Sequence, residues 1–171
     1  MSVPVVSVIG YSGSGKTSLL VVLIAILKAR GYRLAVIKHH SHSFEIDQPG
    51  KDSWRLAEAG SDIVVLSSAE RLALIEKPEH ERSLEEIVAM VADRVDLVLT
   101  EGYKGAATKK IAVLREQDAG LLREISGVFA IISTEPLASP LPRFQPDQTE
   151  AIVDLIEETL SLTGEPRSRR A

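Results

Sequence analysis

The stretch "GYSGSGKTS", Gly10 to Ser18, decides the fold. Gly10, Gly15, Lys16 and Thr17 stand at the spacing G-x-x-x-x-G-K-[ST]. Its surroundings turn a spacing into a structure. The apolar run Val5 to Ile9 before it reads as a strand, and Lys16 to Ala29 after it reads as a helix stopped by Gly31. A strand running through a glycine-rich turn into a helix is a phosphate loop. Its glycines let successive N–H groups point inward as an anion nest, and the helix dipole adds partial positive charge. In that arrangement Lys16 reaches the β- and γ-phosphates, the Thr17 hydroxyl is a magnesium ligand, and Ser18 reaches the α-phosphate.

Outward from this loop, short Val/Ile/Leu runs alternate with helical patterns. Further strands are expected at Leu34 to Ile37, Ile63 to Leu66, Leu72 to Ile75, Leu97 to Thr100, Ile111 to Leu114 and Val128 to Ile132. Helices are expected at Asp52 to Ala59, from a Ser83/Glu86 capping box to Val91, over Asp118 to Glu124, and from about Thr149 to Leu162. Asp52 reads as the N-cap of the first of these. Continuous apolar strands imply a sheet covered on both faces, and helices between them imply parallel crossovers. The expectation is a three-layer α/β phosphate-loop NTPase domain with a mostly parallel central sheet. It spans residues 1–163, with 164–171 ("GEPRSRRA") as a disordered tail. Four of the eight prolines, Pro136, Pro140, Pro142 and Pro146, precede the last helix. They read as a stiff surface connection, with a lid or a dimer contact as alternatives.

The composition narrows the function. The net charge of −4 gives no basic footprint for nucleic acid. The absence of cysteine removes disulfides, thiolate metal sites and a cysteine nucleophile, and fits a reducing cytoplasm. The longest apolar run, Leu19 to Leu27, is nine residues, where a membrane span needs roughly 20.

A magnesium-bound triphosphate needs a second acidic anchor, and "VDLVLTEGYK" offers Asp96 and Glu101. Ligands of a parallel sheet sit beyond the carboxyl ends of its strands. That places Glu101 at the metal and Asp96 a strand length away, while Lys104 reads equally as a charge partner of the site or a surface lysine. The segment "KHHSHSFEIDQPGKDSWR", Lys38 to Arg55, leaves the second strand at the same edge. His39, His40 and His42 fit three readings: contact with a phosphate or phosphorylated ligand, a transition-metal site, or ordinary loop packing. Asp47 is favoured over Asp52 to orient a water, because Asp52 has a competing role as helix cap. Lys51 and Arg55 add charge suited to an anionic ligand or partner.

Taken together, "GYSGSGKTS", "KHHSHSFEIDQPGKDSWRLAEAG" and "LVLTEGYK" resemble the molybdopterin-guanine dinucleotide biosynthesis adapter family, MobB. The phosphate loop alone is shared by many families; the histidine loop ending in "PGKDS" followed by "EGYK" is far more specific. The resemblance covers roughly Val5 to Leu114, and the rest by topology. It implies a GTP-binding protein that assists a partner guanylyltransferase joining GMP to molybdopterin, with slow GTP hydrolysis, magnesium as cofactor, a homodimer and a cytoplasmic location. It also allows a molybdopterin ligand. The implied nucleotide site is Gly10, Gly13, Ser14, Gly15, Lys16, Thr17, Ser18 and Glu101, with Asp47, Lys51 and Asp52 in the second motif. The guanine signature Asn-Lys-x-Asp is absent; the matching strand end reads "IISTEP", where Glu135 is a candidate acceptor for guanine.

Three other functions compete on the same loop. A small-molecule kinase is disfavoured because it needs a lid bearing arginines, and no such lid is evident in the sequence. A metal-insertion GTPase rests on the histidines alone. An interaction module would hold its nucleotide structurally.

Overall fold

The computed structural model describes residues 3–40, 42–115, 118 and 120–162, so the tail at 164–171 lies outside the described residues. They fall into two compact units, His40–Ser83 and the remainder.

The larger unit is built on six parallel strands. β1 (Val5–Ile9) feeds helix α1 (Lys16–Ala29), which returns the chain to β2 (Leu34–Lys38). After the smaller unit come α3 (Leu84–Ala89), β5 (Leu97–Glu101), β6 (Lys109–Val113), α4 (Leu121–Glu124), β7 (Val128–Ile132), β8 (Arg143–Phe144) and α5 (Thr149–Thr159). The strand order is β2-β5-β1-β6-β7-β8. Side chains alternate across a strand, so each strand serves two faces. On one face Val6, Val8, Leu97, Leu99, Ile111 and Val113 pack with Leu20, Leu23 and Leu27 of α1 and Ile152, Val153 and Ile156 of α5. On the other, Ile9, Ala112 and Ile131 pack with Leu121 of α4. This is the three-layer arrangement expected from continuous apolar strands.

The smaller unit holds α2 (Asp52–Glu58) and an antiparallel hairpin, β3 (Ile63–Ser67) with β4 (Leu72–Glu76), which forms a sheet of its own.

Some expectations need correction. The last helix ends at Thr159, and α3 ends at Ala89 rather than Val91. The proline-rich connection contains a strand: Ile131 lies level with Arg143 and Ile132 with Phe144, and the Ser133 N–H donates to the Phe144 carbonyl at 3.0 Å. Proline lacks an N–H, which confines such a strand to a sheet edge, and β8 is the edge. Asp52 is not the helix cap. Lys51 occupies that position in an extended conformation, and Asp52 is the first helical residue, where its charge suits the helix dipole.

Lys110 is the largest fully buried side chain. Its ammonium donates to the carbonyls of Ala106, Thr108 and Ser126, at 2.5, 3.2 and 3.0 Å, and ties the β5–β6 connection to the start of β7. Burial pushes its pKa down. Tyr32, only 6% exposed, donates its hydroxyl to the Leu162 carbonyl at 3.1 Å. Burial, with Glu157 nearby, pushes this phenol from 10.0 up to about 12. Between those values the unfolded chain releases the phenolic proton while the native chain keeps it. Stability therefore falls as pH rises through that window. Tyr32→Phe is expected to flatten this part of the curve, read from urea midpoints of parent and variant between pH 9 and 12.

Candidate functional site

The site is assembled at the carboxyl edge of the parallel sheet. Register places Val8, Glu101 and Lys38 level across β1, β5 and β2. β1 then enters the phosphate loop, β5 ends in Glu101, and β2 ends in Lys38.

Gly10 leaves β1 at φ 153°, and a Cβ there would lie 2.4 Å from the Val113 carbonyl oxygen and 2.7 Å from the Ser14 hydroxyl. Only glycine lets the chain turn this tightly past β6. The loop closes when Gly15, left-handed at φ 97°, starts α1. Lys16 and Thr17 are therefore the first two residues of that helix, and Ser18 is the exposed third.

The Thr17 hydroxyl donates to Glu101 Oε2 at 2.8 Å, so the two residues expected to share a metal are in direct contact. Glu101 Oε1 lies 3.6 Å from the Lys38 ammonium. Lys16 donates to the Tyr11 carbonyl of its own loop at 2.7 Å. Its pKa is pushed down, mainly by burial; Glu101 opposes the shift, and Lys104 and Lys38 add to it. Asp96 sits at the opposite end of β5, where its carboxylate accepts the Arg33 backbone N–H at 2.8 Å and serves the turn into β2.

The loop has the features a polyphosphate needs. The Ser14 hydroxyl is buried without a partner among the described residues, an expensive state in a finished packing and a natural one beside a ligand. Thr17 and Glu101 supply the hard oxygen donors that magnesium takes alongside phosphates and water.

Three contributors escaped the sequence reading. Arg115 donates from its guanidinium to the Gly13 carbonyl at 2.7 Å, bracing the loop from outside. It stands alone in the sequence, with no second arginine to mark it, yet it lies just past the carboxyl end of β6, the strand beside β1. Lys38 ends β2 level with Glu101, and Tyr11 carries the Lys104 ammonium 4.3 Å above its ring.

The histidines do not form one group. His39 belongs to the sheet unit: its N–H donates to the Glu101 carbonyl at 3.0 Å and its ring packs at a tilt against Tyr103, centroids 4.8 Å apart. His40, in the smaller unit, lies against Phe44 at 5.2 Å, and His42 is exposed. Among the described residues no group of three or more His, Cys, Asp or Glu is placed to hold a metal ion. In the smaller unit, Asp47 accepts the Gln48 N–H at 2.9 Å through one oxygen, while its buried Oδ2 has no partner among the described residues. Lys51 and Asp52 are exposed at the start of α2, and Arg55 pairs loosely with Asp52 at 3.9 Å. No described helix is long and apolar enough to cross a membrane.

A family model described as molybdopterin guanine dinucleotide synthesis protein B matches residues 5–134. A molybdopterin-guanine dinucleotide biosynthesis adapter protein of Haemophilus influenzae is 40% identical, the match covering 92% of this chain and 90% of that one. Its counterpart in Escherichia coli is 34% identical, covering 91% and 93%. The crystal structure of Bacillus subtilis MobB superposes with a TM-score of 0.76 at 29% identity, covering 92% of this chain and 98% of that one.

Gly10→Ala is expected to cost about 1–3 kcal/mol of stability, the scale of a strained backbone position, because the added methyl collides with the Val113 carbonyl. Denaturant unfolding of parent and variant measures the loss.

Proposed function

The chain belongs to the molybdopterin guanine dinucleotide synthesis protein B family, and from that premise we propose that it is a GTP-binding adapter in molybdenum cofactor assembly. It assists a guanylyltransferase that attaches GMP to molybdopterin, and hydrolyses GTP slowly on its own. The observation that carries the nucleotide part is the 2.8 Å hydrogen bond from Thr17 to Glu101 at the head of a glycine nest. Gly10, Gly13, Ser14, Gly15 and Lys16 would hold the phosphates, with Ser18 near the α-phosphate. Thr17 and Glu101 would hold magnesium, which supplies positive charge against the triphosphate.

The rest of the reading divides the labour. Asp47, with one buried oxygen unpartnered among the described residues, is the candidate to orient the attacking water. His40, His42, Lys51, Asp52 and Arg55 form the segment offered to the partner enzyme or to an anionic pterin. Assembly of this cofactor is placed in the cytoplasm.

The test is competition between nucleotides. GTP is expected to displace ATP, and Lys16→Ala is expected to lose 10- to 150-fold in GTP affinity, about the 1.5–3 kcal/mol of a charge-assisted contact. ATP winning the competition would remove guanine from the proposal. Unchanged affinity in Lys16→Ala would remove the phosphate loop. Turnover of GTP without an acceptor substrate separates this reading from a kinase.

A homodimer is part of the proposal, supported by the hairpin. Val65 lies level with Leu74, and with Ile63 and Leu72 they share one face of β3–β4. All four are between 50% and 69% exposed, whereas Val64, on the opposite face, is buried. Sedimentation is expected to find the parent chain dimeric and Val65→Glu/Leu74→Glu monomeric.

A further inference from the structure

We propose that Lys104 is the residue by which this site distinguishes a nucleoside triphosphate from a diphosphate, resting on the reading of Gly10–Ser18 as a nucleotide site.

The observations converge from the backbone outward. The chain leaves β5 at Glu101 through two consecutive left-handed residues, Gly102 at φ 101° and Tyr103 at φ 58°. A tyrosine in that region is rare, and such conformations persist only where their surroundings enforce them. The surroundings here are specific. The Gly102 N–H donates to the Val8 carbonyl at 3.0 Å, and the Tyr103 ring packs at a tilt against His39. A Cβ on Gly102 would come within 3.3 Å of the His39 Cβ, and at φ 101° any other side chain would be strained, so glycine suits the turn.

What the strained turn achieves is the placement of Lys104. Without it the chain would run on from Glu101 beyond the sheet edge. With it, Lys104 doubles back onto the phosphate loop and rests on the Tyr11 ring. The same Tyr11 offers its carbonyl to Lys16 at 2.7 Å and to the Ser14 N–H at 3.3 Å. Two ammonium groups thus gather on the two sides of one loop residue, and Lys104 has no carboxylate partner among the described residues.

An aromatic face holds an ammonium weakly when solvent is near. A phosphate oxygen holds it through a charge-assisted hydrogen bond, which is stronger. Lys104 therefore has a resting place that it leaves at small cost for an anion beyond the nest. The backbone amides and Lys16 hold the phosphate chain from the loop side, so the outward oxygens of the terminal phosphate are left for a cation arriving from the β5 side. His39 and Tyr103 set the direction of that approach without touching the nucleotide.

The experiment is calorimetric titration of the full chain with a non-hydrolysable GTP analogue and with GDP, both with magnesium, for the parent, Lys104→Met and Lys104→Arg. The corresponding ATP analogue and ADP are run in parallel, so base preference does not decide the result. Lys104→Met is expected to lose about 10- to 100-fold for the triphosphate, one charge-assisted contact, and less than about twofold for the diphosphate on the same scale. Lys104→Arg is expected to regain most of the difference. A thermal melt of Lys104→Met matching the parent shows that the loop is intact. Equal losses for both nucleotides, or no loss for either, overturn the proposal. If Lys16→Ala abolishes binding while Lys104→Met changes nothing, the nucleotide site stands and only the role of Lys104 falls. If the parent binds no nucleoside phosphate, both fall together.

Discussion

The pairing of β1 with β5 is the constraint on which the rest depends. Because these two strands are parallel neighbours with Val8 level with Glu101, the loop leaving one and the carboxylate ending the other meet at the same height. Thr17, one residue into α1, then falls within 2.8 Å of Glu101. A register shift of one residue would send Glu101 to the other face of the sheet. The buried row Val6, Val8, Leu97 and Leu99 against α1 fixes the register, so the hydrophobic core also aligns the polar site.

Much of this was legible from residue order. The phosphate loop carries its own fold, since a strand must precede it and a helix must follow. Glu101 rather than Asp96 followed from strand polarity alone, and Asp96 indeed sits at the far end, holding Arg33. Strands as apolar as Val5–Ile9 and Val128–Ile132 were readable to the residue because both faces of the sheet are covered.

What could not be read depended on long-range contacts or weak local signals. β8 has two residues between prolines, too short for any periodicity to register. Arg115 gains its place only because β6 pairs with β1, and nothing local distinguishes it from other arginines. The three histidines looked like one cluster by spacing. All three follow the end of β2, yet His39 supports the β5 turn while His40 meets Phe44. Asp52 reads as a cap because an aspartate suits both the cap and the first turn of a helix, and the structure puts Lys51 at the cap instead.

The central claim is that Thr17 and Glu101 form the metal end of a nucleotide site. It is tested most directly by titrating the full chain with GTP in the presence and absence of magnesium, for the parent and for Glu101→Gln. The account predicts one nucleotide per chain, binding strengthened by magnesium in the parent, and most of that strengthening lost in Glu101→Gln. Magnesium enhancement that is identical in both proteins would contradict it.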